Sequence, residues 1–376
     1  MNFNLNLNLK EMERYDLVIL LMAVALTCFG VVMVYSASSV MATKKFHDGF
    51  FFLKRQGAYA LMGFGVMTLA MRFDYQKWKE YAVPILLGCL ALLILVFIPG
   101  IGGAAKGASR WIRLPGFNFQ PSELAKIALI IYMAYSLDKK QERVKLFSAG
   151  FAPYMVLLAV LLAILLKQHD LGAALTMGVV AILMLFVAGT RPRYILGMGV
   201  LAVPFICYVI MTESYRMRRI KAFLNPWEDP TDAGFQIIQS WLAFGNGGIL
   251  GQGLGEGKQK MFYLPEAHTD FILSVAGEEL GLIGILVIAS MFLLLVLRSV
   301  RVALMAQDPF GRFLAFGIAT LLGIEAFVNM GVVTGLLPTK GLALPFISYG
   351  GSSLIISLFA VGILLNVSSR MKGAGQ

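Results

Sequence analysis

The chain has 376 residues, of which 58% are hydrophobic and only 14% charged, with a formal net charge of +11. A soluble domain sits near half apolar and a quarter charged, so this balance excludes an ordinary soluble enzyme and points to a membrane. In a soluble protein the positive charge would suggest nucleic acid; here it is divided among loops on two sides of a membrane, and no nucleic-acid partner is expected.

The first sixteen residues, Met1 to Asp16, are polar and mixed in charge. The apolar run behind them is too long for a cleaved signal and lacks a small-residue cleavage site, so it reads as the first span. Hydrophobic runs place further helices along the chain, for about ten in all: 17–41, 52–71, 81–98, 122–137, 148–166, 171–189, 194–211, 271–297, 313–334 and 346–367. The expected fold class is an all-α integral membrane protein. Residues 1–376 read as a single polytopic domain, with one long segment, 212–270, between the seventh and eighth spans. Cys28, Cys89 and Cys207 lie inside apolar runs and read as packed, unbridged thiols.

An even number of spans puts both termini on one side. If that side is the cytoplasm, nearly every short loop there is basic, with Arg72, Lys77, Lys139, Lys140, Arg191, Arg193, Arg298, Arg301 and Arg312. The outer side then carries two more basic stretches. One is the loop at about 99–121, with Lys106, Arg110 and Arg113; the other is 212–270, with Arg216, Arg218, Arg219, Lys221, Lys258 and Lys260. Such clusters suit lipid headgroups or a polyanionic ligand such as a diphosphate. Ile98-Pro-Gly-Ile-Gly-Gly103 and Asn225-Pro-Trp-Glu-Asp-Pro230 read as structured turns, and 234–244 as a short amphipathic helix lying at the interface.

Ionisable residues at membrane depth are costly, which makes each a functional suspect. Gln120-Pro-Ser-Glu-Leu-Ala-Lys126 opens the fourth span, and Glu123 and Lys126 share a helix face at i,i+3. They form either a structural ion pair or the polar wall of a substrate cavity. Asp170 either caps the sixth span or takes a basic partner in that cavity. In Leu264-Pro-Glu-Ala-His-Thr-Asp-Phe271, Asp270 is either the N-cap of the eighth span or a carboxylate base at the membrane surface, with Glu266 and His268 nearby. Glu278 and Glu279 demand buried partners, and Glu325 and Asn329 at i,i+4 read mainly as interhelical hydrogen bonding. Gly350 and Gly351 in the last span read as close-packing points, and Lys340 beside them adds an outer cation. There is no nucleotide phosphate loop and no zinc-ligand spacing, so no metal ligand is assigned.

Taken together, these stretches resemble the SEDS proteins (shape, elongation, division and sporulation), the bacterial peptidoglycan polymerases. The matching segments are Val34-Tyr-Ser-Ala-Ser-Ser39, Gln120–Lys126, His169-Asp-Leu-Gly172, Arg219–Pro230, Gly234-Phe-Gln-Ile-Ile-Gln-Ser240, Leu264–Ile272 and Leu344–Ser353, in order over nearly the whole chain. Pro265–Asp270 and Ala243–Gly248 lean toward the cell-division branch, with the elongation branch as runner-up.

The resemblance implies a SEDS fold with a large extracytoplasmic loop. It implies an inverting glycosyltransferase in the bacterial inner membrane, both termini cytoplasmic, polymerising lipid II at the outer face during septal wall synthesis. Undecaprenyl diphosphate on the growing glycan is the leaving group. The family's essential acid falls on Asp270, as general base; Glu123, Lys126 and Asp170 shape the cavity, with His268 close to the acid. Arg110, Arg219 and Lys340 are our own candidates to meet the diphosphate. Implied partners are a class B penicillin-binding transpeptidase and divisome regulatory proteins; a need for a divalent cation, Mg or Mn, is left open. Two readings compete: a lipid II flippase, which requires a polar path through the full membrane depth, and a noncatalytic scaffold.

Overall fold

The computed structural model describes residues 15–100, 102–105, 108–114, 117–232, 234–260, 264–339 and 341–371, with the backbone alone at 104, 105, 108, 109 and 114. The first three helices are α1 (Leu17–Phe46), α2 (Phe51–Arg72) and α3 (Trp78–Leu95). A small antiparallel sheet follows, with strands β1 (Gly102–Ala105), β2 (Ala108–Leu114) and β3 (Phe117–Phe119) in that order. Four helices come next: α4 (Pro121–Lys140), α5 (Ala152–Lys167), α6 (Leu171–Val187) and α7 (Pro192–Met211). Two short helices, α8 (Ser214–Leu224) and α9 (Phe235–Gly247), precede the long α10 (Ile272–Met305), α11 (Pro309–Val333) and α12 (Gly351–Ser368).

Each stretch expected to span overlaps a helix, with ends that differ by several residues. Seven helical stretches among the described residues are long and apolar enough to cross a membrane by length and composition. α6 is apolar but has 17 residues, and α2 and α4 are long enough but too polar by the same measure. Local signals set the ends. Asp16 accepts hydrogen bonds from the amides of Val18 and Ile19 at the start of α1, and Asp308 accepts one from Gly311 at the start of α11. Proline occupies the first turn of α4, α7 and α11, where its missing N–H costs nothing.

In lipid, helices associate through close packing of small residues. α12 lies along α2: a Cβ on Gly63 would come 2.5 Å from Leu358, and one on Gly362 2.5 Å from the carbonyl of Met67. α7 faces outward over nearly its whole length, with only Val209 buried, the pattern of an apolar helix solvated by lipid tails.

α10 is bent at Gly281, where φ is 67° and ψ −167°. The break frees backbone groups for the loop after α9. Gln252 and Gly253 donate to the carbonyls of Glu278 and Glu279, while Leu282 and Ile283 donate to Gly248 and Ile249. A Cβ at position 281 would lie 2.4 Å from the amide nitrogen of Gly251, so only glycine fits.

Four expectations are corrected. The loop at 99–121 carries a sheet rather than turns alone, so the molecule is helical with one small β element. The last span begins at Gly351 and not at 346; residues 341–350 that the structure describes are irregular, with Phe346 at φ 66°. All three cysteines are free, but Cys28 and Cys207 face out of the chain and only Cys89 is buried. A carboxylate cap on α10 is absent: the cap position is Phe271, with no side-chain cap hydrogen bond. The helix expected at 234–244 is present as α9.

Candidate functional site

Asp170 lies where α6 begins and performs both roles open to it. One carboxylate oxygen caps the helix, accepting from the amide of Ala173 at 3.2 Å. The other accepts from Ser122 Oγ at 3.0 Å and Gln120 Nε2 at 3.2 Å, at the mouth of α4. Arg110, on β2, brings its guanidinium within 3.9 Å of the same carboxylate and donates to the carbonyls of Gln168 and His169. The sheet is thereby fastened to the α5–α6 junction. The amide of Gln120 donates to Ser352 Oγ at the start of α12, and that hydroxyl donates to Asn118. Asp170 is 3% exposed, so its charge depends on these donors.

One turn into α4, Lys126 donates to Glu123 at 2.8 Å and also to Glu325 of α11. The i,i+3 pair was legible in the sequence; the third member was not, because nothing local links positions 126 and 325. All three side chains are buried. A cavity of about 10 Å³, room for about one water, lies beside them.

Asn329 sits one turn beyond Glu325 on α11. Its amide nitrogen donates to the carbonyl of Asp270 at 2.9 Å and to that of Leu342 at 2.7 Å. Two further donors hold the same turn. Ser348 Oγ donates to the carbonyl of Thr269 at 2.6 Å, and the amide of Tyr349 donates to the carbonyl of His268 at 2.9 Å. Three successive carbonyls are thus pinned from α11 and from the segment before α12. Glu266 bends the turn at φ 56°, and the His268 ring packs 4.7 Å from Phe52 and 5.6 Å from Tyr349. The Asp270 carboxylate lies against Gly341: a Cβ there would be 3.0 Å from Oδ2.

Arg219, on α8, donates to the carbonyl of Thr339, two residues from Gly341. The basic helix therefore reaches the segment that borders Asp270. Lys340 falls outside the described residues. Glu278 and Glu279 belong to the loop–α10 junction. Glu278 accepts from the amide of Gln259 at 3.0 Å; Glu279 accepts from Lys260 and Ser36, each at 2.6 Å. This buried arrangement uses the Tyr-Ser-Ala-Ser motif of α1 and reads as structural. Among the described residues, no group of three or more His, Cys, Asp or Glu could hold a metal ion.

Residues 16–373 match the family model FTSW_RODA_SPOVE, described as a cell cycle protein, and the chain belongs to that family. It is 84% identical over 373 residues to the probable peptidoglycan glycosyltransferase FtsW of Geobacter metallireducens, covering 99% of this chain and 100% of that one. It is 44% identical to the stage V sporulation protein E of Bacillus subtilis, covering 94% and 96%. A chain in the structure of a peptidoglycan synthase complex that coordinates polymerization and crosslinking matches with a TM-score of 0.78 at 30% identity, covering 94% of this chain and 97% of that one. The crystal structure of the rod shape determining protein RodA of Thermus thermophilus matches with a TM-score of 0.71 at 28% identity, covering 95% and 98%.

Proposed function

We propose that this chain polymerises lipid II into glycan strands at the outer face of the membrane, with Asp270 as the general base. It is a peptidoglycan glycosyltransferase of the FtsW type and a multi-pass membrane protein. The observation that carries the role of Asp270 is the turn it sits on: a half-buried acid, not used as a helix cap, on a backbone pinned at three successive carbonyls.

In this reading the acceptor's 4-hydroxyl attacks the anomeric carbon of the donor sugar. Asp270 takes the hydroxyl proton, the bond to the diphosphate breaks, and the new β-1,4 bond forms with inversion. Rigid placement of the base lowers the barrier by sparing reorganisation at the moment of reaction. Arg219 is the cation we assign to the departing diphosphate, because it reaches the segment beside Asp270. Arg110 orders the α5–α6 junction through its carbonyl contacts, and His268 packs beside the base. Glu123, Lys126 and Asp170 set the shape of the cavity wall.

The further assignments belong to the same reading. The membrane is the bacterial inner membrane, the termini are cytoplasmic, residues 212–270 are extracytoplasmic within a single membrane domain, and the place of work is the division septum. The partner is a class B penicillin-binding transpeptidase, with divisome proteins as regulators. The test is polymerisation of purified lipid II by the chain with its transpeptidase, comparing wild type with Asp270→Asn. Long strands from wild type and none from a folded Asp270→Asn are expected. Equal polymerisation by both would remove Asp270 as the base.

A further inference from the structure

The far end of α4 carries a feature that polymerisation does not use. A groove of about 520 Å³ is lined by Val83 of α3, by Tyr132, Tyr135, Lys139 and Lys140 of α4, and by Arg143 in the 3-10 turn that follows. Tyr132, Tyr135 and Lys139 stand at i, i+3 and i+7, so they form one stripe along the helix. Lys139 lies over the Tyr135 ring at 5.9 Å and Lys140 over Tyr154 at 5.2 Å. Among the described residues no carboxylate pairs with Lys139, Lys140 or Arg143; the adjacent Asp138 is taken by Lys79 at 2.9 Å.

Cations at a helix C-terminus offset the negative end of its dipole. That accounts for Lys139 and Lys140. It does not account for Arg143 beyond the helix end, nor for tyrosines lining a recess this large. The lining brings together the kinds of group that a phospholipid meets: an apolar side chain at Val83 of α3, amphipathic tyrosines on α4, and the cations Lys139, Lys140 and Arg143 at and just beyond the end of that helix. An arginine fork and two ammonium groups suit a phosphodiester oxygen pair.

We propose that this groove binds a phosphate-bearing anion, with the headgroup of an anionic phospholipid lying along α4 as its source. The proposal rests on membrane embedding and not on the polymerase reading. The test is native mass spectrometry of the full chain released from detergent, with phosphatidylglycerol, phosphatidylethanolamine and, as a soluble phosphate, glycerol 3-phosphate. The double variant Lys139→Gln/Arg143→Gln is compared with Lys44→Gln/Lys45→Gln, which removes two cations at the end of α1. Wild type should hold phosphatidylglycerol in preference to phosphatidylethanolamine. The groove variant should bind it on the order of tenfold more weakly, and the α1 variant as wild type does. Equal weakening in both variants would reduce the effect to general charge and overturn the site. Glycerol 3-phosphate binding that depends on the groove, without any lipid preference, would overturn the lipid as the source and leave a soluble phosphate in its place. Intact, preferential binding of phosphatidylglycerol by the groove variant would also overturn the proposal.

Discussion

The side-chain amide of Asn329 joins two carbonyls that are 72 residues apart in the chain, donating at 2.9 Å to Asp270 and at 2.7 Å to Leu342. It couples the acidic turn to the segment that borders it. Asn329→Leu should therefore leave both carbonyls without this donor, at a cost of about 1–3 kcal/mol for the buried one at Leu342, and, on the reading proposed above, loosen the base. Polymerisation should fall on the order of tenfold to a hundredfold, expressed in kcat more than in KM. Steady-state assays on the folded variant check this; an unchanged kcat would show that the clamp does not position the base.

Lys126 lies between two buried carboxylates. Lys126→Met leaves them facing each other without a cation, and the chain should lose about 3–5 kcal/mol of stability. Adding Glu325→Gln should recover much of it, since one uncompensated charge is removed. Thermal unfolding in detergent reads both variants. If the double variant is no more stable than Lys126→Met alone, the cluster is not held together by charge.

Gly341→Ala tests contact with the acid directly. The added Cβ would stand 3.0 Å from Asp270 Oδ2, so the carboxylate must give way by a few tenths of an ångström. The expected outcome is about a tenfold loss of polymerisation with an unchanged melting temperature. A large loss of stability instead would mean that the position is needed for packing.

Gly281→Ala addresses the bend in α10. Positive φ and a 2.4 Å approach to the Gly251 nitrogen leave no room for a Cβ. The variant should be destabilised by about 4 kcal/mol or more, visible as loss of monodisperse protein on gel filtration. Recovery of normal amounts would show that the loop can move off the helix.

The positions of most long helices among the described residues were legible because their apolar runs are bounded by charge, proline or glycine. The Glu123–Lys126 pair was legible because its spacing is local. What the sequence could not carry was pairing across helices: Glu325 as the third partner of Lys126, or Asn329 as the holder of the Asp270 turn. The two roles weighed for Asp170 turned out to be compatible: the oxygen that caps the helix at Ala173 also faces its basic partner Arg110 at 3.9 Å, while the other oxygen accepts from Ser122 and Gln120. The start of the last span was misjudged because Leu344, Phe346 and Ile347 extend its apolar run. Those side chains are buried, but the backbone there is irregular, and the residues that follow donate to the acidic turn, Ser348 through its hydroxyl to the Thr269 carbonyl and Tyr349 through its amide to the His268 carbonyl. The sheet at 102–119 was not legible because β1 (Gly-Gly-Ala-Ala) and β3 (Phe-Asn-Phe) are too short to show the alternation of a strand.

The pinned turn also fixes an order of events during synthesis. The ribosome makes residues 268–270 well before Asn329, Ser348 and Tyr349, which hold their three carbonyls. On the reading proposed here, a nascent chain whose last two helices have not yet been inserted carries the acid but not the means to aim it. On that reading a prematurely terminated product that lacks α11 and α12 also lacks every side chain and amide that holds this turn.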